Sequence, residues 1–292
     1  TTSGGTYSAT APTLTNVGST TVYYKVAKDG YTTKTGSYTC TMNAKAMTVS
    51  ASDKSKVYDG SALTCSVSVS VPNSGATIKY GTTSDTYDLT SAPTITNVAD
   101  SKTIYYQVTG DNFTTKTGSF NCSITQANNP ITIGGKVSAT GTVTFPSGAT
   151  ATVSNASGGT LSVTTSDSNI ATASVGSTTA TSTTLTITAK AKGTATITVT
   201  SAATDNYKAG SATYAITINP GTITASASNE TLTYNGSAQS CGSVTVSAPA
   251  SGATVMYGTS SDSYTSSTPI SKTDAGTYTI HYQVTATNYT TK

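Results

Sequence analysis

The chain has 292 residues, of which 35% are hydrophobic and only 9% charged, and its formal net charge is +3. All 15 basic residues are lysine and they are scattered; without arginine forks or a basic stripe, recognition of nucleic acid is excluded. No run approaches the roughly 18 apolar residues of a membrane span, so no insertion into a bilayer is expected. Much of the remainder is Thr and Ser interleaved with Val, Ile and Tyr. Branched and aromatic side chains fit a pleated surface, and so little charge cannot hold a chain open by self-repulsion. The composition reads as β structure with a hydroxyl-covered outside.

In chain order, the first feature is Val22–Cys40, VYYKVAKDGYTTKTGSYTC, which returns as Ile104–Cys122, IYYQVTGDNFTTKTGSFNC, and again as Ile280–Lys292, IHYQVTATNYTTK. Near-identical passages at fixed spacing mark a repeated structural unit. VYDGSALTC, with Tyr58 and Cys65, returns as TYNGSAQSC, with Tyr234 and Cys241. Superposition gives a partial repeat over 1–43, a complete repeat over 44–125, a different domain over 126–219, and a second partial repeat over 220–292. The chain starts and stops inside repeats, so it reads as a window cut from a longer array. Thr1 opens it without Met or a signal-peptide pattern, which places any targeting segment outside this sequence.

Within the complete repeat, Leu63, Cys65, Val67, Val69 and Val71 alternate with Ser and Thr. Ile104, Tyr106 and Val108 share a face, as do Phe120, Cys122 and Ile124. This period of two predicts half-buried strands, and Tyr58-Asp59-Gly60, Pro72-Asn73-Ser74-Gly75 and Gly110-Asp111-Asn112 punctuate them as turns. Strands this short and closely spaced predict a β-sandwich. The domain over 126–219 alternates likewise through Leu185, Ile187, Ala189; Ala195, Ile197, Val199; and Tyr214, Ile216, Ile218. In the last repeat Val244 and Val246 lose parity with Cys241 unless Gly242 counts as one inserted residue, which predicts a β-bulge there. The junctions Asn128-Asn129-Pro130 and Asn219-Pro220-Gly221 are short and proline-bearing, which favours stiff connections.

Ser166-Asp167-Ser168-Asn169-Ile170-Ala171, followed by Ala191-Lys192-Gly193-Thr194-Ala195-Thr196-Ile197-Thr198-Val199, resembles bacterial immunoglobulin-like group 2 domains. Asp274-Ala275-Gly276-Thr277-Tyr278 resembles the Asp-x-Gly-x-Tyr corner of immunoglobulin-like folds; the complete repeat has Ala99-Asp100-Ser101-Lys102 there instead. The VYDGSALTC…VYYKV units resemble immunoglobulin-like repeats of bacterial surface proteins and of some phage tail and head proteins. The resemblance implies an all-β chain of tandem immunoglobulin-like sandwiches arranged end to end, outside the cell, spacing or presenting something.

The four cysteines fill two kinds of slot. Cys65 and Cys241 sit in the early-strand slot, Cys40 and Cys122 in the last-strand slot. Only the complete repeat holds both, and both face inward by alternation, so a Cys65–Cys122 disulfide between its sheets is predicted, with an oxidising compartment. By the same offsets Cys40 pairs upstream of residue 1 and Cys241 shortly past Lys292. No C-x-x-C and no His cluster points to a metal.

Catalytic signatures are missing. His281 is the single histidine, in a slot that Tyr23 and Tyr105 fill in the sister repeats, so it reads as an ordinary strand residue and no Ser-His-Asp or Cys-His arrangement has another base to use. The acids are spread singly, with no DxDxDG-like spacing among Asp85, Asp88, Asp100 and Asp111 to suggest calcium. No enzyme activity and no cofactor are expected. Tyr31, Phe113 and Tyr289 recur in the turn before TTK, with Tyr207 similar in the 126–219 domain; they are candidate contacts to a glycan or protein, or else lids over the ends of the cores. The favoured expectation is a non-enzymatic stalk of a long adhesin-like surface protein, partnered by neighbouring repeats of its own chain. A phage-virion appendage and a carbohydrate-binding module are the alternatives.

Overall fold

The structure, a computed structural model, describes residues 3–135 and 141–292. Among the described residues every regular element is a β-strand except the short 3-10 turn Val98–Asp100. The chain divides into two compact units, Thr1–Ala127 and Asn128–Lys292.

In the first unit, Gly18–Val26 and Lys34–Met42 form an antiparallel hairpin, from Gly18↔Met42 to Val26↔Lys34. The complete repeat then builds a sandwich. One sheet has the order Lys54–Val57, Lys116–Thr125, Lys102–Thr109, Thr77–Gly81. Its first pairing is parallel, Lys54 opposite Cys122, and the others are antiparallel. The facing layer is made of two small pairs, Thr48–Ser50 with Ser68–Val71 and Leu63–Thr64 with Thr94–Ile95. Ile104, Tyr106, Val108, Phe120, Cys122 and Ile124 are buried between the layers with Cys65, Val67, Tyr80 and Ile95, as period-two alternation requires.

The second unit holds a larger sandwich. Ile131–Gly134, Ala149–Asn155, Ser182–Ala189 and Ala171–Val175 form one four-stranded sheet; Thr142–Thr144, Gly210–Asn219, Gly193–Ser201 and Leu161–Thr165 form the other. Strand Ala149–Asn155 alternates strictly between buried and exposed. Leu185, Ile187, Ile197, Val199, Ile216 and Ile218 lie at its centre. Outward positions carry hydroxyls in cross-strand register: Thr150 faces Thr186, Thr152 faces Thr184, and Thr164 faces Thr198. Packing these strands therefore buries aliphatic surface while leaving hydroxyls in water. All-β tandem immunoglobulin-like sandwiches are the fold of this chain.

The last repeat pairs Thr224–Ala227 with Val244–Ala248, Gln239–Ser240 with Ser271–Lys272, and Ala253–Gly258 with His281–Ala286. The predicted parity is met: the Val244 amide donates to the Tyr257 hydroxyl at 3.2 Å, as the Val67 amide does to Tyr80 at 3.3 Å. The predicted bulge is not a bulge at Gly242. That residue, with φ +83°, lies in the connection before strand Val244–Ala248, where an extra residue disturbs no ladder. The ladder irregularity lies between Thr224 and Ala225 instead, and the complete repeat has the same one between Thr48 and Val49.

Candidate functional site

The predicted cross-sheet bridge is present. Cys65 and Cys122 are disulfide-bonded with Cα atoms 6.1 Å apart, and both are fully buried. Cys122 is placed by strand Lys116–Thr125, and Cys65 follows strand Leu63–Thr64 on the facing layer. Cys40 and Cys241 bond to no other cysteine of these 292 residues, and each is half-buried.

The turn aromatics differ in their surroundings. Tyr31 is 73% exposed, with the Lys28 ammonium 5.5 Å from its ring centre. Phe113 is half-buried and packs on the core of the complete repeat. Tyr289 packs on the last repeat's core and meets Phe145 edge-on, with ring centres 5.5 Å apart. Tyr207 is half-buried on the connection before strand Gly210–Asn219. His281 is a half-buried residue in strand His281–Ala286, opposite Gly258. Among the described residues no three His, Cys, Asp or Glu side chains gather as a metal cluster would need.

Two corners preceding the strands of the recurring passage use different chemistry. In the last repeat the Tyr278 hydroxyl donates to the Asp274 carbonyl at 3.1 Å, the hydrogen bond of a tyrosine corner, and the Lys272 ammonium lies 4.8 Å from the Tyr278 ring centre. In the complete repeat the Asp100 carboxylate accepts from the amides of Asn97 at 2.8 Å and Thr96 at 3.1 Å. Those two amides hold the Asp100 carboxyl below its ordinary value, because hydrogen bonds to the charged form favour it.

What the sequence reading did not single out are the asparagines before Phe113 and Tyr289. Asn112 has φ +63° and Asn288 φ +68°, the left-handed region that asparagine tolerates better than most residues. Each joins three pieces of chain. The Asn112 carbonyl accepts from the Lys45 amide at 3.0 Å. Its side-chain Oδ1 accepts from the Val17 amide at 2.7 Å, and its Nδ2 donates to Asn16 Oδ1 at 3.2 Å. The Asn288 carbonyl accepts from the Gly221 amide at 2.9 Å. Its Oδ1 accepts from the Lys192 amide at 3.2 Å, and its Nδ2 donates to the Lys190 carbonyl at 3.5 Å. The connecting segments are themselves strands: Lys45–Ala46 runs parallel to Phe113–Thr114, and Gly221–Thr222 to Tyr289–Thr290. A Cβ on Gly221 would meet the Tyr289 ring at 2.6 Å and the Phe145 carbonyl oxygen at 2.7 Å, so the close approach there requires glycine. Gly110-Asp111-Asn112 was legible as a turn; the signal for its left-handed residue is the substitution set at one repeat position, Gly30, Asn112 and Asn288, residue types that enter the left-handed region most readily.

No protein-family model matches the chain, and no curated protein matches it. Among solved structures, domains 4 and 5 of the S-layer protein SbsC are similar at 16% identity, over 61% of this chain and 99% of that one, with a TM-score of 0.33. Titin domains z1z2 in complex with telethonin are similar at 13% identity, over 61% and 98%, with a TM-score of 0.37. The protocadherin GammaB4 extracellular domain is similar at 12% identity, over 93% and 52%, with a TM-score of 0.31. At such identities and scores the sandwich reading rests on the chain's own topology.

Proposed function

We propose that this chain is a non-enzymatic spacer within a long, adhesin-like bacterial surface protein, holding a distal region away from the cell. The observation that carries the reading is that the connections at Lys45–Ala46 and Gly221–Thr222 are paired strands of the sandwich they lead into. A connection built this way leaves no free linker at those two junctions. The Cys65–Cys122 bridge fits an oxidising, extracellular compartment. The 126–219 domain is read as group 2-type on its Ser166–Ala171 and Ala191–Val199 passages, and neighbouring repeats of the same chain are the partners. No helix in the described residues is long and apolar enough to cross a membrane.

The test is a replacement. In the parent surface protein, an unrelated sandwich array of equal length in place of residues 1–292 is expected to preserve binding by the distal region, while simple deletion weakens it. Loss of function on replacement would overturn the spacer reading. A second reading, contact with a surface glycan, has one observation in its favour, the exposure of Tyr31. In the complete repeat Lys45 and Ala46 lie beside the corresponding Phe113. Glycan-array binding that disappears in Tyr31→Ala would establish that second reading.

A further inference from the structure

We infer that the left-handed asparagine turn is a docking site for the backbone corner of the preceding sandwich, and that its shared contact is the main-chain amide before the corner's glycine, whatever side chain that residue carries. This joint presupposes the spacer role proposed above and names its contact surface. The two instances have unrelated partners. Asn112 takes the corner Asn16-Val17-Gly18 of a repeat like its own. Asn288 takes the corner Lys190-Ala191-Lys192-Gly193, through the Lys190 carbonyl and the Lys192 amide, of a domain whose sequence does not match the repeats.

What the two corners share is conformation. Gly18 has φ +149° and Gly193 φ +146°, values that side chains rarely adopt. In both, the residue before this glycine donates its amide to the asparagine Oδ1. The side chains differ completely, Val in one case and Lys in the other, and neither supplies the bond. The asparagine Nδ2 then takes whichever oxygen the corner presents, a side-chain amide in one joint and a backbone carbonyl in the other. A recognition built on an N–H and an oxygen at a fixed bend is available to any sandwich with an X-Gly corner at that end, which lets unlike domains follow one another. In the last repeat the corner Asp274–Tyr278 precedes strand His281–Ala286 and Asn288 follows it, so socket and corner sit at opposite ends of one strand. Such a contact is heterologous, head to tail. Where the first repeat has Gly30, with φ +79°, the turn keeps its shape and loses the side chain that clasps.

Gly30 also supplies the test, because glycine is native to this slot. In the full 292-residue chain, Asn288→Gly is expected to speed exchange of the Lys192 amide about fivefold, the change corresponding to one net hydrogen bond. Amides of Ile197 and Val284 serve as core controls and should keep their rates. Asn112→Gly should do the same to Val17 and leave Lys192 alone. Asn288→Asp, which keeps the Oδ1 acceptor and loses the donor, should preserve most of the Lys192 protection. In residual dipolar couplings, residues 141–219 and 220–292 should share one alignment tensor in the wild type and report two in Asn288→Gly. Unchanged Lys192 exchange with an unchanged shared tensor would overturn the docking role, whereas the replacement experiment above bears on the spacer reading independently. Strong dependence on the corner's side chain, seen as equal loss of protection in Lys192→Ala, would overturn the main-chain readout.

Discussion

The complete repeat of residues 44–125 and the sandwich of residues 128–219 hold two layers together by different means. In the latter both sheets are four-stranded, with strands such as Ala149–Asn155, Ser182–Ala189 and Gly193–Ser201 meeting over a largely aliphatic core. In the repeat, one sheet is four-stranded but the facing layer contains strands of only two residues, Leu63–Thr64 and Thr94–Ile95. Less surface is available to bury there, and the core draws on Tyr80, Tyr106, Phe120 and a cystine. The larger sandwich has no cystine; it buries a polar cluster instead. Asn155 is fully buried, and its Oδ1 accepts from Asn129 Nδ2 at 3.1 Å, Ser157 Oγ at 3.0 Å and Ser201 Oγ at 3.1 Å, while its Nδ2 donates to the Gly159 carbonyl at 2.7 Å. A short, thin layer is held covalently, and a broad one by area and one satisfied polar knot.

Removing the disulfide is the strongest way to separate the two. A cross-link spanning 57 residues stabilises by about 4 kcal/mol in the chain-entropy model. For a unit this size each kcal/mol moves a midpoint by about 4–8 °C. Calorimetry of Cys65→Ala/Cys122→Ala, or of the wild type under reductant, should drop the transition of the repeat by roughly 15–30 °C on that scale and leave that of residues 128–219 in place. Equal shifts in both transitions would erase the contrast. The converse is Asn155→Ala, which removes the acceptor shared by Asn129, Ser157 and Ser201 and the donor to the Gly159 carbonyl, and should cost about 1–3 kcal/mol. Denaturant unfolding should show that loss in the larger sandwich alone. Near-zero cost would mean that water replaces the knot and that the aliphatic core suffices.

Most of this contrast was legible before any coordinates. Alternation placed Ile104, Tyr106 and Val108, and Leu185 and Ile187, on inward faces, and they are buried, because period two is a local property of a strand. The slots of Cys65 and Cys122 were readable for the same reason. Asn155 was not, since a polar residue at an inward position looks like a break in the pattern until its partners Asn129 and Ser201 are brought to it from 26 and 46 residues away. Nor were the clasps of Asn112 and Asn288: their partners Val17 and Lys192 lie 95 and 96 residues away, and only the fold brings them together. The turn aromatics were singled out, but spacing alone did not separate Phe113, which packs on its core, from Tyr31, which is exposed.

The smallest expected effect concerns acid. Two carboxylates of the complete repeat lie below their ordinary range: Asp59, held mainly by the Lys56 ammonium at 2.6 Å and then by the Ser61 amide, and Asp100, held by the Asn97 and Thr96 amides. The corresponding corner of the larger sandwich, Ala191-Lys192-Gly193, contains no carboxylate. A folded-state value below the unfolded one means that the stabilisation is complete above the unfolded value, 3.8, and is lost as pH falls through the lowered folded value. Asp59 is exposed and Asp100 half-buried, so the surface pair of Asp59 is screened by salt and contributes little, and the local hydrogen bonds of Asp100 should carry most of the signal. The Asn97 and Thr96 amide resonances should hold their positions down to about pH 4 and titrate below it. In Asp100→Asn they should not titrate at all, and the Lys192 amide should stay fixed throughout in both proteins. Acid titration of Lys192 together with Asn97 would show instead that the two corners share one electrostatic environment, which their chemistry does not predict.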